Sequence, residues 1–398
     1  MTVSTTRRRL LQGAGALTLV AVGGAIWRAH DREVFVTPSG TPYDPWEMWQ
    51  SPDHAGTPLA LVAAGILASN PHNTQPWIFR VSETEIEVLA DTARDLGAFD
   101  PYLREMHIGL GCAIENMVLA APANGLGASV EAAPGSLLDI ERGGLVRAAT
   151  IRLSSGGGAS DPLYDAIPHR HTNRYGYDRA RGFPEDLMRR IGTMPVEDGV
   201  AVSLFTEGDA FEALGQTIIE ATDAIVADDE MIEDSHRWFR DGPQDMARER
   251  SGLALDTAGL SPALLAAAKF LPALPAKQSH GAWADQTRDT HVPTAALLGT
   301  ISVRDRYDRP QALAAGRIWQ RIHLEASAAG IAMHPLNQPV EMIDRDKQLG
   351  RNAEWEARLG EIIGDAAWQP TFAFRGGYPT KNAPASARRS VEQVTQAG

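Results

Sequence analysis

Two stretches of this chain, 205 positions apart, repeat one another. Gly111, Leu119, Ala121, Ala123 and Gly125 coincide with Gly316, Leu324, Ala326, Ala328 and Gly330, and similar apolar residues coincide at Met117/Ile322 and Leu126/Ile331. Self-similarity at a fixed offset marks a structural unit used twice. Each copy reads as a long helix, about 101–124 and 311–329. In both, small residues (Ala121, Gly125, Ala326, Gly330) permit close approach of another element, and a glycine then ends the helix and leads toward a strand.

The repeat organises the rest of the chain. The 398 residues exceed an ordinary single domain, and they divide into a first half (28–153), a Ser/Gly linker from Ser154 to Ser160, and a second half (161–398). Within the first half, Leu59 to Ala68 reads as an apolar helix, and Ile78–Val81 and Glu85–Leu89 alternate as a strand pair. Residues 228–292 read as an insertion: an acidic run from Asp228 to Asp234, Trp238-Phe239, a Pro-rich turn from Leu271 to Ala276, and Trp283. Such a segment either closes over a site as a lid or stands off as a solvated appendage. With 43% apolar and 22% charged residues the chain can bury a large core. Its net charge of -13 opposes nucleic-acid binding. The single cysteine, Cys112, excludes an internal disulfide and a cysteine-built metal site.

The N-terminus is an address. Thr6-Arg7-Arg8-Arg9 precedes a run without charge from Leu10 to Trp27, a basic region followed by an apolar one. The paired arginines and the glycines at 13, 15, 23 and 24 resemble a twin-arginine export signal. At ~1.5 Å per residue the run reaches about 27 Å, enough to span a bilayer core and serve as an anchor. Residues 1–27 are therefore expected to direct export to the periplasm or cell envelope. Without them, 37 − 3 = 34 basic residues face 50 acidic ones, a balance of −16. That route carries folded proteins, so a cofactor loaded before export is expected.

Three motifs carry chemistry. The segment Ser69-Asn70-Pro71-His72-Asn73-Thr74-Gln75-Pro76-Trp77 is a polar loop feeding an aromatic and a strand, which holds its side chains at a rigid edge. The alternative is a helix cap at Asn73 with Trp77 in the core. In His169-Arg170-His171-Thr172-Asn173-Arg174, two arginines four apart with a hydroxyl and an amide between them suit a dianionic phosphomonoester. The alternative is a pair of arginines on a helix face. His169 and His171 have no partner at metal-ligand spacing, so no metal site is expected. Near the end, Pro384-Ala385-Ser386-Ala387-Arg388-Arg389 adds a further arginine pair.

These segments resemble signatures of the FMN-binding nitroreductase family. Residues 69–77 are similar to its Ser-x-x-Asn-x-Gln-Pro-Trp signature. Residues 170–174 resemble the Arg-x-Ser-x-Arg phosphate grip, with Thr172-Asn173 where Ser is usual, and 384–389 its terminal Pro-x-Ser-x-Arg-Arg. The resemblance implies an α+β fold, a nitroreductase-like antiparallel or mixed sheet flanked by helices, here as two pseudo-repeated halves fused in one chain. It implies that Asn73 and Gln75 address the flavin ring edge, that Arg170, Thr172, Asn173 and Arg174, with Arg388 and Arg389, hold the FMN phosphate, and that His334, Pro335, Leu336 and Asn337 shape the surroundings of flavin N5.

The first half has Asn73-Thr74-Gln75-Pro76-Trp77 but no arginine grip before it; the second has the grip but no such loop after it. One site can be assembled and the other is expected to be dead, as in a fused-dimer, Acg-like subgroup of that family. The expected function is FMN-dependent oxidoreduction, from NADPH, NADH or another donor to a nitroaromatic, quinone or similar acceptor. The flavin supplies the chemistry, so no catalytic side chain is assigned. The alternative is an FMN-binding or flavin-sequestering protein without turnover. A monomer is expected, because the usual partner is already attached.

Overall fold

The structure, a computed structural model, describes residues 24–194 and 199–398. The paired arginines and most of the uncharged run at 10–27 lie outside the described residues.

The chain builds two four-stranded antiparallel units with the same strand order. In the first, β1 (Trp77–Val81), β2 (Glu85–Asp91), β3 (Leu126–Ala132) and β4 (Leu145–Ser155) are ordered β3-β4-β2-β1. In the second, β5 (Val200–Phe205), β6 (Leu297–Val303), β7 (Ala332–Pro335) and β8 (Gln369–Gly377) are ordered β7-β8-β6-β5. The second and fourth strands slip register in both units, at Val88/Leu89 and at Ile301/Ser302. The C-terminal strand β9 (Thr395–Ala397) crosses over to lie parallel to β1, Phe79 opposite Thr395, making the first sheet mixed. The tail of the second half is thus part of the first half's sheet.

Helices flank and join these sheets. In chain order they include α1 (Pro58–Gly65), α2 (Arg104–Ala123), α3 (Asp209–Ala227), α4 (Asp229–His236), α5 (Pro262–Phe270), α6 (Ala276–Gln286), α7 (Arg309–Ala328) and α8 (Gln338–Leu349). α1 is apolar throughout, starts on a proline in its first turn and is buried from Ala60 to Gly65, as a helix covered on all sides must be. α7 is started by Asp308, whose carboxylate accepts the Gln311 N–H at 3.0 Å.

The repeated helices α2 and α7 cross at the centre, and their contact is reciprocal. A Cβ on Gly111 would stand 2.1 Å from the Leu313 carbonyl oxygen, and one on Gly316 would stand 2.0 Å from that of Ile108. Glu115 accepts from Arg321 Nε at 2.5 Å, and Asn116 accepts from Gln320 Nε2 at 2.7 Å. At the offset of 205, Glu115 corresponds to Gln320 and Asn116 to Arg321. The two pairs therefore exchange under the repeat, which is the self-complementarity of a two-fold interface. Close approach falls on Gly111 and Gly316 and not on Gly125 and Gly330, which have open space around them and φ of 71° and 70°. The latter two end their helices in the left-handed region that glycine tolerates. One core runs through both halves, with Trp77, Phe79, Trp319, Phe372 and Phe374 in it. Among the described residues one helix, α2, is long and apolar enough to cross a membrane, and it is a buried core helix.

The units differ in two connections: 133–144 join β3 to β4 where 336–368, holding α8, join β7 to β8, and the difference between the first two strands is larger. β1 and β2 are joined at 82–84, whereas 206–296 separate β5 from β6 and hold α3 to α6. This insertion is packed down: Met231 and Ile232 of α4 and Ala276 of α6 share a cluster with Leu96 and Phe99 of the first half. The Ala98 N–H donates to Asp234 at 2.7 Å, and Trp238 Nε1 donates to the Asp95 carbonyl at 2.9 Å.

Candidate functional site

The site is built where the Asn-rich loop of the first half meets α7 of the second. Ser69 N donates to Gln320 Oε1 at 3.3 Å and Trp319 Nε1 to Ser69 Oγ at 3.3 Å, so the repeated helix sets the loop's position. Three non-glycine residues of the loop hold positive φ: His72 at 47°, Asn73 at 54° and Gln75 at 50°. Asparagine tolerates this region; histidine and glutamine pay a conformational cost of order 1–3 kcal/mol. Asn70 Oδ1 holds the shape by accepting the Gln75 N–H at 2.8 Å. His72 Nε2 meets Ser235 Oγ at 2.8 Å, and Ser235 meets His280 Nε2 at 3.0 Å, which ties the loop to α4 and α6 of the insertion.

Beside this loop is a cavity of about 460 Å³, counting its open mouth, whose wall includes Asn73, Arg170, Thr172, Arg174 and Arg388. Ser69, Asn70 and His171 line it too, as do Gly252, Leu253 and Thr257 from the insertion and Pro384 and Ser386 from the tail. A larger cavity, about 720 Å³ with its mouth, lies across the 252–257 strip and takes Ala254, Leu255 and Asp256 for its wall.

The electrostatics of the smaller cavity are one-sided. Arg170 and Arg388 are buried, 2% exposed each, and neither they nor Arg174 form an ion pair with a carboxylate among the described residues. Arg170 donates to the Leu67 carbonyl at 3.0 Å, Arg388 to that of Ala68 at 3.2 Å, and Arg174 to that of Thr257 at 3.1 Å. The Nε atoms of Arg170 and Arg388 have no hydrogen-bond partner among the described residues. Burial pushes the Arg170 and Arg174 pKa values down to about 10, and burial with repulsion from Arg170 pushes that of Arg388 well down. His171 is pushed to about 3, chiefly by burial and then by the charges of Arg170 and Arg388, so it stands neutral. Guanidinium stays charged at neutral pH, and a buried cation without a counter-ion costs several kcal/mol. An anion in this cavity removes that cost.

Asn73 is on the wall, its Oδ1 accepting from Arg388 at 2.7 Å and its Nδ2 donating to the Ala387 and Gly252 carbonyls at 2.9 and 3.2 Å. Thr172 is on the wall and bridges to Met333. Asn173 turns away to the Lys381 carbonyl at 2.8 Å. Gln75 is fully buried behind the wall, donating to the Arg250 carbonyl at 2.7 Å and accepting the Arg389 N–H at 2.8 Å. The Arg389 side chain turns back to the Gln75 and Trp77 carbonyls, the latter at 2.9 Å. Of the 334–337 segment none lines the cavity: His334 accepts from Arg375 at 3.1 Å, Pro335 ends β7, Leu336 bonds the Ala373 carbonyl at 2.8 Å, and Asn337 bonds Glu105.

Two contributors had no signal in the sequence. Trp46 lays its ring 4.7 Å from the Arg388 guanidinium and 4.5 Å from His171, and the 252–257 strip closes one side. Neither stretch holds a recognisable motif. The segment corresponding to the Asn-rich loop in the second half, just before β5, lies partly outside the described residues.

Fold and cavity together define a two-halved α+β chain with an arginine-lined cavity where the Asn-rich loop, the 170–174 segment and the tail meet. No protein-family model matches the chain. It is 26% identical over 350 residues to two Mycobacterium tuberculosis proteins, of strains CDC 1551 and H37Rv, each provisionally named an NAD(P)H nitroreductase. The match spans 86% of this chain and 92% of each relative, and supports the resemblance at the level of the family. Among solved structures, the FMN-dependent nitroreductase NfnB from Mycobacterium smegmatis in complex with NADPH is 16% identical and covers 58% of this chain and 96% of its own, at a TM-score of 0.37. An FMN and NADPH-dependent NfnB from Sphigopyxis sp. strain HMH is 15% identical, covering 60% and 99%, at 0.38. At TM-scores this low the overlap adds nothing to the fold assignment, which rests on the strand order itself.

Proposed function

We propose that this chain is an FMN-dependent oxidoreductase of nitroreductase type, taking electrons from NADPH or NADH and passing them to a nitroaromatic, a quinone or a similar acceptor. The observation that carries the reading is the trio Arg170, Arg174 and Arg388, three cations on one cavity without a carboxylate partner among the described residues. A phosphomonoester suits them because its dianion accepts charge-assisted bonds from several guanidinium groups at once. The cavity fits FMN at its phosphate end, the unpartnered Nε atoms of Arg170 and Arg388 being the donors left over. When bound, FMN supplies hydride and electron transfer at its N5. This chain's own residues would neutralise the phosphate with Arg170, Arg174 and Arg388, hold Arg388 in place through Asn73 and keep water out with the 252–257 strip.

The reading extends to the whole chain. The reciprocal α2–α7 contact supports a fused dimer of nitroreductase-like halves with one competent site, active as a monomer. The twin-arginine sequence supports export to the periplasm or cell envelope, with 10–27 retained as an anchor. The packed insertion supports a lid: Gly252 and Asn73 bond each other reciprocally, the Gly252 N–H reaching the Asn73 carbonyl at 2.9 Å. That closure also favours a second reading, flavin sequestration without turnover, because Asn73 and Gln75 already have protein partners. Titrating the purified chain with FMN tests the site: the account expects saturation at one flavin per chain, with the bound absorbance band near 450 nm. Two flavins per chain, or none, contradicts it.

A further inference from the structure

Residues 261–275, which make α5 and the turn after it, are built inside out. Among fifteen residues the only charge is Lys269, and it is 8% exposed, its ammonium turned inward to Asp256 at 2.7 Å and to the Glu33 carbonyl at 3.2 Å. Leucines face outward: Leu264 is 62% exposed, and Leu271 and Leu274 in the turn after α5 are half exposed. A helix on a water-facing surface shows the opposite arrangement, charge outside and leucine inside. The segment also ends in Leu271-Pro272-Ala273-Leu274-Pro275, all exposed, with no polar side chain to hold water.

The N-terminal part of the chain joins this face. Arg28 donates to the Phe270 carbonyl and Arg32 to that of Lys269, which seats the helix at 24–31 directly against the end of α5. Its neighbours are apolar and outward: Trp27 is 65% and Phe35 85% exposed. Immediately before this helix the sequence runs uncharged from Leu10. A run of that length and composition partitions into hydrocarbon, and the point where it joins the described chain is at the edge of the inside-out face. Exposed tryptophan and phenylalanine at that junction match the aromatic preference of the membrane–water interface.

We propose that α5, its following turn and the junction at Trp27 and Phe35 form a docking face that lies on a phospholipid bilayer, its leucines in the acyl–headgroup boundary. Exposed apolar residues on segments bonded to one another in this way find their partner in lipid rather than in water. The chain would then be held by two signals, the uncharged run and the face, which fixes the orientation of its cavities relative to the membrane.

Nitroxide labels on the full chain test this. Leu264→Cys and Leu271→Cys are labelled, with Leu349→Cys as an exposed reference outside the face; the native Cys112 is buried and does not compete. The variants are placed on vesicles of phosphatidylethanolamine and phosphatidylglycerol. The expected result is a ratio of oxygen to aqueous nickel-complex accessibility several-fold higher at 264 and 271 than at 349. Equal ratios at all three sites overturn the proposal. Shielding of 264 and 271 from both reagents also overturns it, showing that protein covers the face, whether residues 1–23 folded back or a second copy. Ala263→Cys, a smaller change at another exposed position of α5, gives the same readout should either leucine variant lose its native circular dichroism.

Discussion

At the scale of single residues the account turns on charge without counter-charge. Arg388 shows it best, because its guanidinium bonds Asn73, the Ser386 hydroxyl and the Ala68 carbonyl, yet meets no carboxylate among the described residues. Arg104, also buried, is by contrast paired with Asp344 at 2.7 Å. Arg388→Gln keeps a donor for Asn73 but removes the charge. One charge-assisted bond contributes roughly 1.5–3 kcal/mol, so FMN affinity is expected to fall about 10- to 100-fold. Riboflavin, which lacks the phosphate, should bind the variant and the parent alike in a fluorescence titration. An equal loss for both flavins would mean that Arg388 only supports the loop.

At the scale of elements, the repeat makes a prediction that separates two kinds of glycine. Gly111→Ala places a methyl 2.1 Å from a backbone oxygen of α7, and neither helix can yield without parting the other reciprocal contacts. The expected loss is about 3 kcal/mol or more, the upper end of overpacking. Gly125→Ala meets open space and suffers only its left-handed φ, an expected loss of about 1 kcal/mol. Urea unfolding midpoints measure both; equal losses would show that α2 and α7 do not bear on each other as described.

The same elements show what a sequence makes legible. The long helices, the 77–81 and 85–91 hairpin and the offset of 205 were readable because periodicity and recurrence are local or self-referential. The arginines at 170 and 174 stand out by their spacing, which suits an anion, whereas the Asn-rich loop and Arg388 stand out only through the resemblance to nitroreductase signatures. The pairing of β9 with β1 was not, since three residues without alternation join a partner more than 300 positions away. Nor was the 252–257 strip: what packs over a cavity is set by the fold, and nothing in Gly252-Leu253 states it. The 334–337 segment follows the repeated helix as expected, but its side chains are taken by Arg375 and Glu105.

At the scale of the whole molecule, two halves that exchange contacts about α2 and α7 account for the length, and one arginine-lined cavity accounts for the unequal distribution of motifs between them. The insertion distinguishes an enzyme from a store, since its 252–257 strip must let a donor reach the flavin. The decisive measurement is therefore made on the FMN-loaded chain under anaerobic conditions, following the 450 nm band as NADPH and then a quinone are added. The account predicts bleaching by NADPH and full recovery with the quinone. A band that NADPH leaves unchanged, when dithionite bleaches it, would contradict oxidoreductase function and leave a flavin-holding protein in its place.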